Sequence, residues 1–463
     1  MNAVAKPSAA FRLRHYQEEG IDFLLAHPQA LLADDMGLGK TVQALGAAFG
    51  SRRVPVLVVC PASVKQEWPA MWYQMNPHLD PAEMERFVHV IHGRSSRPLP
   101  RGKALVVVNY DVVASHQDAL ASYGFQTIIL DEGHYIKNRR AKRTQAVLSL
   151  KSTIPHRYIL SGTPMTNRPE ELWTLLTFLG KANPVSYREF TARYADGHLE
   201  DYGYGPTWIA KGATHLHELH QRLRPFTLRR LKSDVLDELP DRTRQSLRWT
   251  IRSKRYNEAQ QDFLTWYWKE THKDLTDNPA QFMVELNKLR ELAEVEKVSM
   301  AVDFLRQYEE ADHPILVFCN YRETMAVLRS KFPEAGVIDG STGGTKRLNT
   351  IRGFQQGKFP LLFLNLQSGS EGLNLQRADS VLFLGYPWTP AQFHQAEDRI
   401  YRMGQQNAVT TFMPVAFPID VMMVDMLSEK EDTFNALFAH GQPMFPRIAK
   451  NFAHFLKTGD KTH

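Results

Sequence analysis

With 463 residues the chain is too long for one ordinary core, and length alone suggests roughly three domain-sized units. Hydrophobic residues make up 43% and charged residues 23%, an ordinary globular balance, and no apolar run reaches the roughly 20 residues that would span a bilayer. The formal charge of +6 favours polyanionic partners without proving them, because many basic proteins bind no nucleic acid.

The opening stretch Met1–Ala10 is short and lacks the apolar segment of a secretory signal. Cys60 and Cys319 each follow an apolar run, Val56–Val59 and Ile315–Phe318. They read as small residues at strand ends, not as a disulfide pair or structural zinc ligands, so an intracellular location is expected.

Through residue 180, short apolar runs alternate with helical patterns, which predicts a parallel α/β sheet. The candidate strands are Ala30–Ala33, Val56–Val59, Leu105–Val108, Thr127–Leu130 and Tyr158–Leu160. Their near-continuous apolar character suits strands covered on both faces. A second set comprises Ile315–Phe318, Gly336–Ile338, Leu361–Leu364 and Val381–Leu384. Between the sets, Leu286, Leu289, Leu292 and Val295 recur at intervals of three, which predicts a helix with an apolar face. The expected organisation is therefore an α/β lobe over residues 1–180, a mainly helical insertion and linker over 181–300, and a second α/β lobe with a C-terminal helical segment over 301–463.

The first chemical signal is LLADDMGLGKT, Leu31–Thr41. A strand enters a turn containing Gly37 and Gly39, and Gly39-Lys40-Thr41 opens a helix over Val42–Phe49. Backbone N–H groups of such a turn surround phosphates, Lys40 adds a cation near the β- and γ-phosphates, and the Thr41 hydroxyl suits Mg²⁺. Asp34 occupies the first glycine of the general G-x-x-x-x-G-K-[ST] pattern. The second signal is QTIILDEGH, Gln126–His134, an apolar strand ending in two carboxylates. By itself such a pair is often a turn or a cap. After a phosphate loop, Asp131 can hold Mg²⁺ through water and Glu132 can polarise an attacking water.

Ser161-Gly162-Thr163-Pro164 follows a strand and takes its weight from this context. SGSEGLNL, Ser368–Leu375, is a glycine-containing loop in the second lobe, and QAEDRIYRMGQ, Gln395–Gln405, puts Arg399 and Arg402 on one face if it is helical. Two such arginines are usually surface ion-pair partners; in a phosphoryl-transfer motor they suit the charge spread over the γ-phosphoryl oxygens. Lys137–Arg143 (KNRRAKR) and Arg229–Lys232 (RRLK) are basic clusters whose plain reading is a solvated face. The aromatic stretch Phe263–Lys273 reads as helix packing before it reads as a DNA wedge or partner site.

The ordered set LRHYQEEGIDFL, DDMGLGKT, VVCPASVKQEW, DEGH, SGTP, DGSTGGTKRLNTIRGF, SEGLNL and QAEDRIYRMGQ resembles the Swi/Snf-like ATPases of helicase superfamily two over roughly residues 11–410. The resemblance implies two RecA-like lobes, ATP with Mg²⁺, and translocation along double-stranded DNA without strand separation. It assigns Gln17 to adenine, Lys40 and Thr41 to phosphates and metal, and Asp131 and Glu132 to metal holding and water activation. Ser161, Thr163 and Gln395 would couple the ATP state to the lobes, and Arg399 and Arg402 would be arginine fingers. Pro61, Ala62, Ser63, Lys137, Ser368, Gly369 and Gly372 are candidate DNA contacts.

FTLRRLKSDVLDELP, Phe226–Pro240, resembles the family's connection between lobes. Two departures stand out: Gly133 where many members carry alanine or serine, and GYPWTP at Gly385–Pro390 with no acid before the tryptophan. The helical stretch around Met283–Leu305 is similar to the annealing-helicase branch. An RNA helicase or strand-separating DNA helicase is the alternative within the superfamily; a catalytically dead DNA-binding scaffold is disfavoured by the intact Lys40, Asp131, Glu132, Arg399 and Arg402. Little chain follows Gln405, so targeting is expected from the insertion, from Val421–Phe455 or from recruiting proteins.

Overall fold

The apolar runs become strands because each can bury both faces between helices, and parallel pairing needs such covered strands. A computed structural model describes residues 12–95, 98–182, 185–201, 205–236, 238–271, 279–366 and 375–438. Strands, numbered along the chain, are β1 (Gln29–Leu32), β2 (Val56–Cys60), β3 (Val88–Val90), β4 (Leu105–Asn109), β5 (Thr127–Asp131), β6 (His156–Leu160), β7 (His198–Asp201), β8 (Pro206–Ile209) and β9 (Thr227–Leu228). They continue with β10 (Arg242–Arg248), β11 (Ile315–Cys319), β12 (Gly336–Ile338), β13 (Leu361–Asn365), β14 (Ser380–Phe383) and β15 (Val409–Val415).

Two compact units divide these residues. Of the described residues, the first takes those within 12–199, 208–236 and 433–438, and the second those within 200–207 and 238–432. The first unit's sheet runs β3-β4-β2-β5-β6-β1-β9, every pairing parallel. Alternate residues feed opposite cores, as a period of two requires. Leu31, Leu57, Val59, Val106, Ile128 and Ile159 lie in one cluster, while Ala30, Leu32, Val56, Val58, Ile129 and Tyr158 lie in the other.

The second unit's sheet runs β10-β15-β14-β11-β13-β12 and is also parallel throughout. Leu316, Phe318, Leu362, Val381 and Phe383 pack on one side, and Ile315, Val317, Leu361, Phe363 and Leu382 on the other. Its edge strand β10 pairs with β15 over seven register positions, Arg242↔Val409 to Arg248↔Val415.

The predicted helix near residue 286 is present as Pro279–Glu296 and buries Leu286 and Leu289 against Phe263 and Leu264 of helix Lys254–Thr271. The Phe263 and Phe282 rings lie 6.0 Å apart, so the described start of the aromatic stretch packs helix on helix. Side chains from residue 267 onward in that stretch lie outside the described set. Among the described residues, no helix is long and apolar enough to cross a membrane.

Candidate active site

The order β2-β5-β6-β1 places the carboxyl ends of four parallel strands side by side. Ligands of open α/β sheets bind at that edge. Here the four ends carry Pro61-Ala62-Ser63, Asp131-Glu132, Ser161-Gly162-Thr163 and the phosphate loop, so the topology brings together residues scattered over more than a hundred positions.

The phosphate loop leaves β1 and enters helix Lys40–Gly50. Gly37 and Gly39 have φ of 82° and 72°, the left-handed region where a side chain is strained. Gly39 has a second reason to be glycine: a Cβ there would come within 2.5 Å of Gln17 Nε2. Gln17 therefore lies directly on the loop, donating to Leu38 O at 3.5 Å and accepting from Arg14 N at 3.1 Å. The helix has no side-chain N-cap, which leaves its first amides to the loop's concavity. Lys40 Nζ donates to the carbonyls of Asp34, at 2.7 Å, and Asp35, at 3.0 Å.

At the end of β5, Asp131 Oδ2 accepts from Trp68 Nε1 at 3.0 Å, and its carbonyl accepts from Tyr110 Oη at 2.8 Å. Glu132 adopts φ 51°, ψ 58°, an uncommon conformation for a residue with a side chain. Ser161 Oγ donates to Glu132 Oε2 at 3.3 Å and accepts from Thr163 N at 3.2 Å. His134 Nδ1 lies 3.3 Å from Glu132 Oε2, within ion-pair range though not aligned as a hydrogen bond.

The two carboxyls are pushed apart in acidity. Burial and then the charge of Glu132 raise Asp131, against the opposing pull of Trp68 and Lys40. Burial also works against charge on Glu132, but His134, Lys40 and Ser161 together hold it below the ordinary glutamate value. One acid is thus kept anionic beside another that is easily neutralised, and Lys40 acts on both. By their chemistry Asp131 and Thr41 could offer oxygen ligands to a hard cation, while the Lys40 ammonium could pair only with phosphate oxygens.

Gly133 follows this pair, and a Cβ on it would come within 2.3 Å of Ile159 Cγ2. The glycine noted as a departure therefore matches the bulk of β6 behind it. Gly162 similarly abuts Met36 of the phosphate loop, where a Cβ would lie 3.0 Å from Met36 Cγ. Thr163 Oγ1 is buried with no hydrogen bond among the described residues.

Ala62 and Ser63 are exposed on the short 3₁₀ turn after β2. Lys137 is half-buried and already engaged, 2.5 Å from Thr166 Oγ1 and 3.4 Å from Glu171. Ser368, Gly369 and Gly372 lie outside the described residues.

In the second unit the condition under which Arg399 and Arg402 would share a helical face is not met. The helix runs only Pro390–Glu397, and both arginines follow it in tight turns, with Ile400 N bonded to Glu397 O at 3.0 Å and Arg402 N to Ile400 O at 3.1 Å. Glu397, the last residue of the helix, is fully buried: it takes Arg244 Nε at 2.8 Å on Oε1, Arg244 Nη2 on Oε2, Thr411 Oγ1 at 2.8 Å, and has Arg242 at 3.6 Å. Gln405 secures the turns by donating to Ala378 O at 2.8 Å and Gln376 O at 3.1 Å. Gln395 is half-buried on that helix.

The RRLK cluster is not a solvated face. Arg229 donates to Ala33 O at 2.9 Å and Gly162 O at 3.2 Å, and Arg230 meets the Asp34 carboxylate at 2.6 Å and 3.1 Å. The only signal in sequence was Asp34 itself, an acid at a glycine position with no stated partner.

Comparison with known proteins bears on the family to which the chain belongs. The family described as SNF2-related domain matches residues 16–297, and the helicase conserved C-terminal domain matches residues 296–404. The Bos taurus protein named "DNA annealing helicase and endonuclease ZRANB3" is 30% identical over 435 residues, covering 90% of this chain and 40% of that protein. A Caenorhabditis elegans homolog of "SWI/SNF-related matrix-associated actin-dependent regulator of chromatin subfamily A-like protein 1" is 30% identical over 453 residues, 93% of this chain and 63% of its own. The chain thus spans less than two thirds of these relatives. A solved structure titled "Sulfolobus solfataricus SWI2/SNF2 ATPase core in complex with dsDNA" aligns over 89% of this chain and 90% of that one, at 24% identity and a TM-score of 0.45. With the SNF2-related domain matching more than half of its residues and the helicase C-terminal domain continuing the match, the chain belongs to the Swi/Snf-like family of helicase superfamily two, its two parallel sheets being the RecA-like lobes.

Proposed function

We propose that the protein is a DNA-dependent ATPase that couples hydrolysis to translocation along double-stranded DNA, remodelling protein–DNA or DNA structures without processive strand separation. The observation that carries this reading is the phosphate loop, the Asp131-Glu132 pair and the Ser161-Gly162-Thr163 loop side by side at the ends of β1, β5 and β6. Lys40 exchanges its loop carbonyls for phosphate oxygens when ATP enters, and Gln17, already on Gly39, borders the base. Asp131 and Thr41 would hold Mg²⁺, which when bound would offset negative charge on the phosphates. Anionic Glu132 orients and polarises the water that attacks the γ-phosphorus as the bond to the ADP oxygen breaks. Ser161, bonded to that carboxylate, passes its state on through Thr163, and Gln395 does so in the second lobe. Arg399 and Arg402 stabilise the charge of the transition state.

Ala62 and Ser63 on one loop, with Lys137 and its basic neighbours on the next, follow a phosphate backbone without reading bases. A second reading, annealing or strand-separating activity on forked DNA, is favoured by the name of the ZRANB3 relatives. The test compares ATP turnover on duplex DNA, single-stranded DNA and RNA, with Lys40→Ala as the inactive control. Triplex displacement and unwinding are then measured side by side at two salt concentrations. Duplex stimulation, triplex displacement without unwinding, and steep loss of binding with salt are expected. Robust unwinding with stimulation by single strands alone would overturn the duplex reading in favour of the second.

A further inference from the structure

The segment after β9 forms a strap across the phosphate loop. β9 extends β1 in parallel, Ala33 N donates to Leu228 O at 2.7 Å, and Asp35 N donates to Arg230 O at 3.0 Å. The loop is thus held by backbone pairing on the side where its strand ends.

Asp34, in the position of the general pattern's first glycine, is fully buried, and a buried carboxylate needs a cation and further hydrogen bonds. Arg230 supplies both. Its Nε lies 3.1 Å from Asp34 Oδ1 and its Nη2 2.6 Å from Oδ2, the two-pronged geometry that suits guanidinium and carboxylate. Nη2 also reaches Gln43 Oε1 at 2.8 Å, and Nη1 reaches Tyr16 O and, at 3.3 Å, Glu19 Oε2. These acceptors match the five N–H groups of the guanidinium, so none is left over for a ligand.

Gln43 closes the circuit from the helix after the loop, donating to Asp34 Oδ2 at 3.2 Å and Leu38 O at 3.1 Å. Asp35 is held as well: Lys232 N donates to its Oδ2 at 3.1 Å, and Arg229 Nη2 lies 3.5 Å from its Oδ1. Arg229 further joins Ala33 O to Gly162 O, one from each of two loops of the site.

Asp34 and Asp35 are the two residues whose carbonyls receive Lys40 Nζ. We propose that Arg229 and Arg230 are positioning residues for the phosphate loop, and that the strap carrying them sets the position from which Lys40 engages the nucleotide. This rests on the nucleotide reading of the loop. Both act through Asp34, Asp35 and the Ala33 and Gly162 carbonyls.

The experiment uses the full chain with Arg230→Gln, Arg230→Lys, Asp34→Asn and the Asp34→Asn/Arg230→Gln double variant. ATP KM and kcat are measured at saturating duplex DNA, with melting temperature and binding of a fluorescent ATP analogue alongside. Arg230→Gln should raise KM and weaken analogue binding by about tenfold, while kcat at saturating ATP falls by less than about threefold. Asp34→Asn should act in the same direction, and the double variant should be no worse than the poorer single, because the two residues act as a pair. Arg230→Lys should recover part of the loss, since it keeps the charge without the fork. Arg229→Gln, which leaves Asp34 paired, is the second variant should Arg230→Gln not fold; it should raise KM too. Folded variants with unchanged KM and analogue affinity would overturn the proposal. So would a lowered melting temperature with no shift in KM. A wild-type chain that neither hydrolyses ATP nor binds the analogue would instead overturn the nucleotide reading, a distinct result.

Discussion

Glu397→Gln tests whether the arginine-bearing turns of the second lobe are anchored by one buried charge. Burial disfavours the Glu397 carboxylate, but Arg244 and then Arg242 and His394 reverse this and hold it at about 2, against an ordinary 4.5. At about 1.4 kcal/mol per tenfold change in proton affinity, that gap corresponds to about 3 kcal/mol of folding stability at neutral pH. Removing one partner of a buried ion pair costs about 3–5 kcal/mol, a consistent figure. The amide keeps the shape but faces two guanidinium groups with its own N–H donors. Amide hydrogen exchange in β10 and β15, the two strands the carboxylate joins to the helix, reads this directly. Their protection should fall about 100-fold at pH 7, the equivalent of about 3 kcal/mol. The sign with pH follows from the folded value lying below the unfolded one: the stabilisation is complete above about 4.5 and is lost as pH falls toward 2. The difference between variant and wild type should therefore shrink to about half by pH 3. Unchanged protection at pH 7, or a difference that does not shrink on acidification, would refute the reasoning.

Glu132→Gln should keep fluorescent-ATP affinity within about threefold while lowering kcat at least about 100-fold, because the amide preserves shape but loses the polarising charge; joint loss of binding and turnover in a binding and steady-state assay would assign Glu132 a structural role instead. Gly20→Ala should destabilise the first lobe by about 1–3 kcal/mol in urea melts despite alanine's better helix preference. A Cβ at residue 20 would sit 1.7 Å from Gln43 Oε1 and 2.8 Å from Arg230 Nη2, and a neutral or stabilising effect would show that this contact yields freely.

The nine apolar runs all proved to be strands, because a strand buried on both faces writes its character into every residue. Edge strands do not. β10, RTRQSLR, is polar at every position but Leu247 and buries no residue fully, yet it pairs along its whole length with β15. β9 is two residues long and is a strand only because β1 lies beside it. The site was legible where motif and local geometry coincide, in the phosphate loop and the acidic pair. It was illegible where a partner lies far along the chain: Arg230 and Asp34 are 196 positions apart. The spacing of Arg399 and Arg402 would have put them on one face only of a helix, and the helix ends at Glu397, a charged residue that usually marks a surface but is buried here.

The strap also decides what counts as a self-sufficient piece of this molecule. A fragment ending at residue 180 would hold every motif from Gln17 to Thr163, and by motif alone would be complete. It would nonetheless lack β9, exposing the free edge of β1 to pairing with other chains, and would leave the buried Asp34 carboxylate without its cation. It would also lose Leu219, Leu223 and Phe226 from the core beneath the sheet. The smallest excisable ATP-binding lobe therefore reaches past Lys232, so transplanting the phosphate loop into another scaffold means transplanting two segments nearly two hundred residues apart, as one unit.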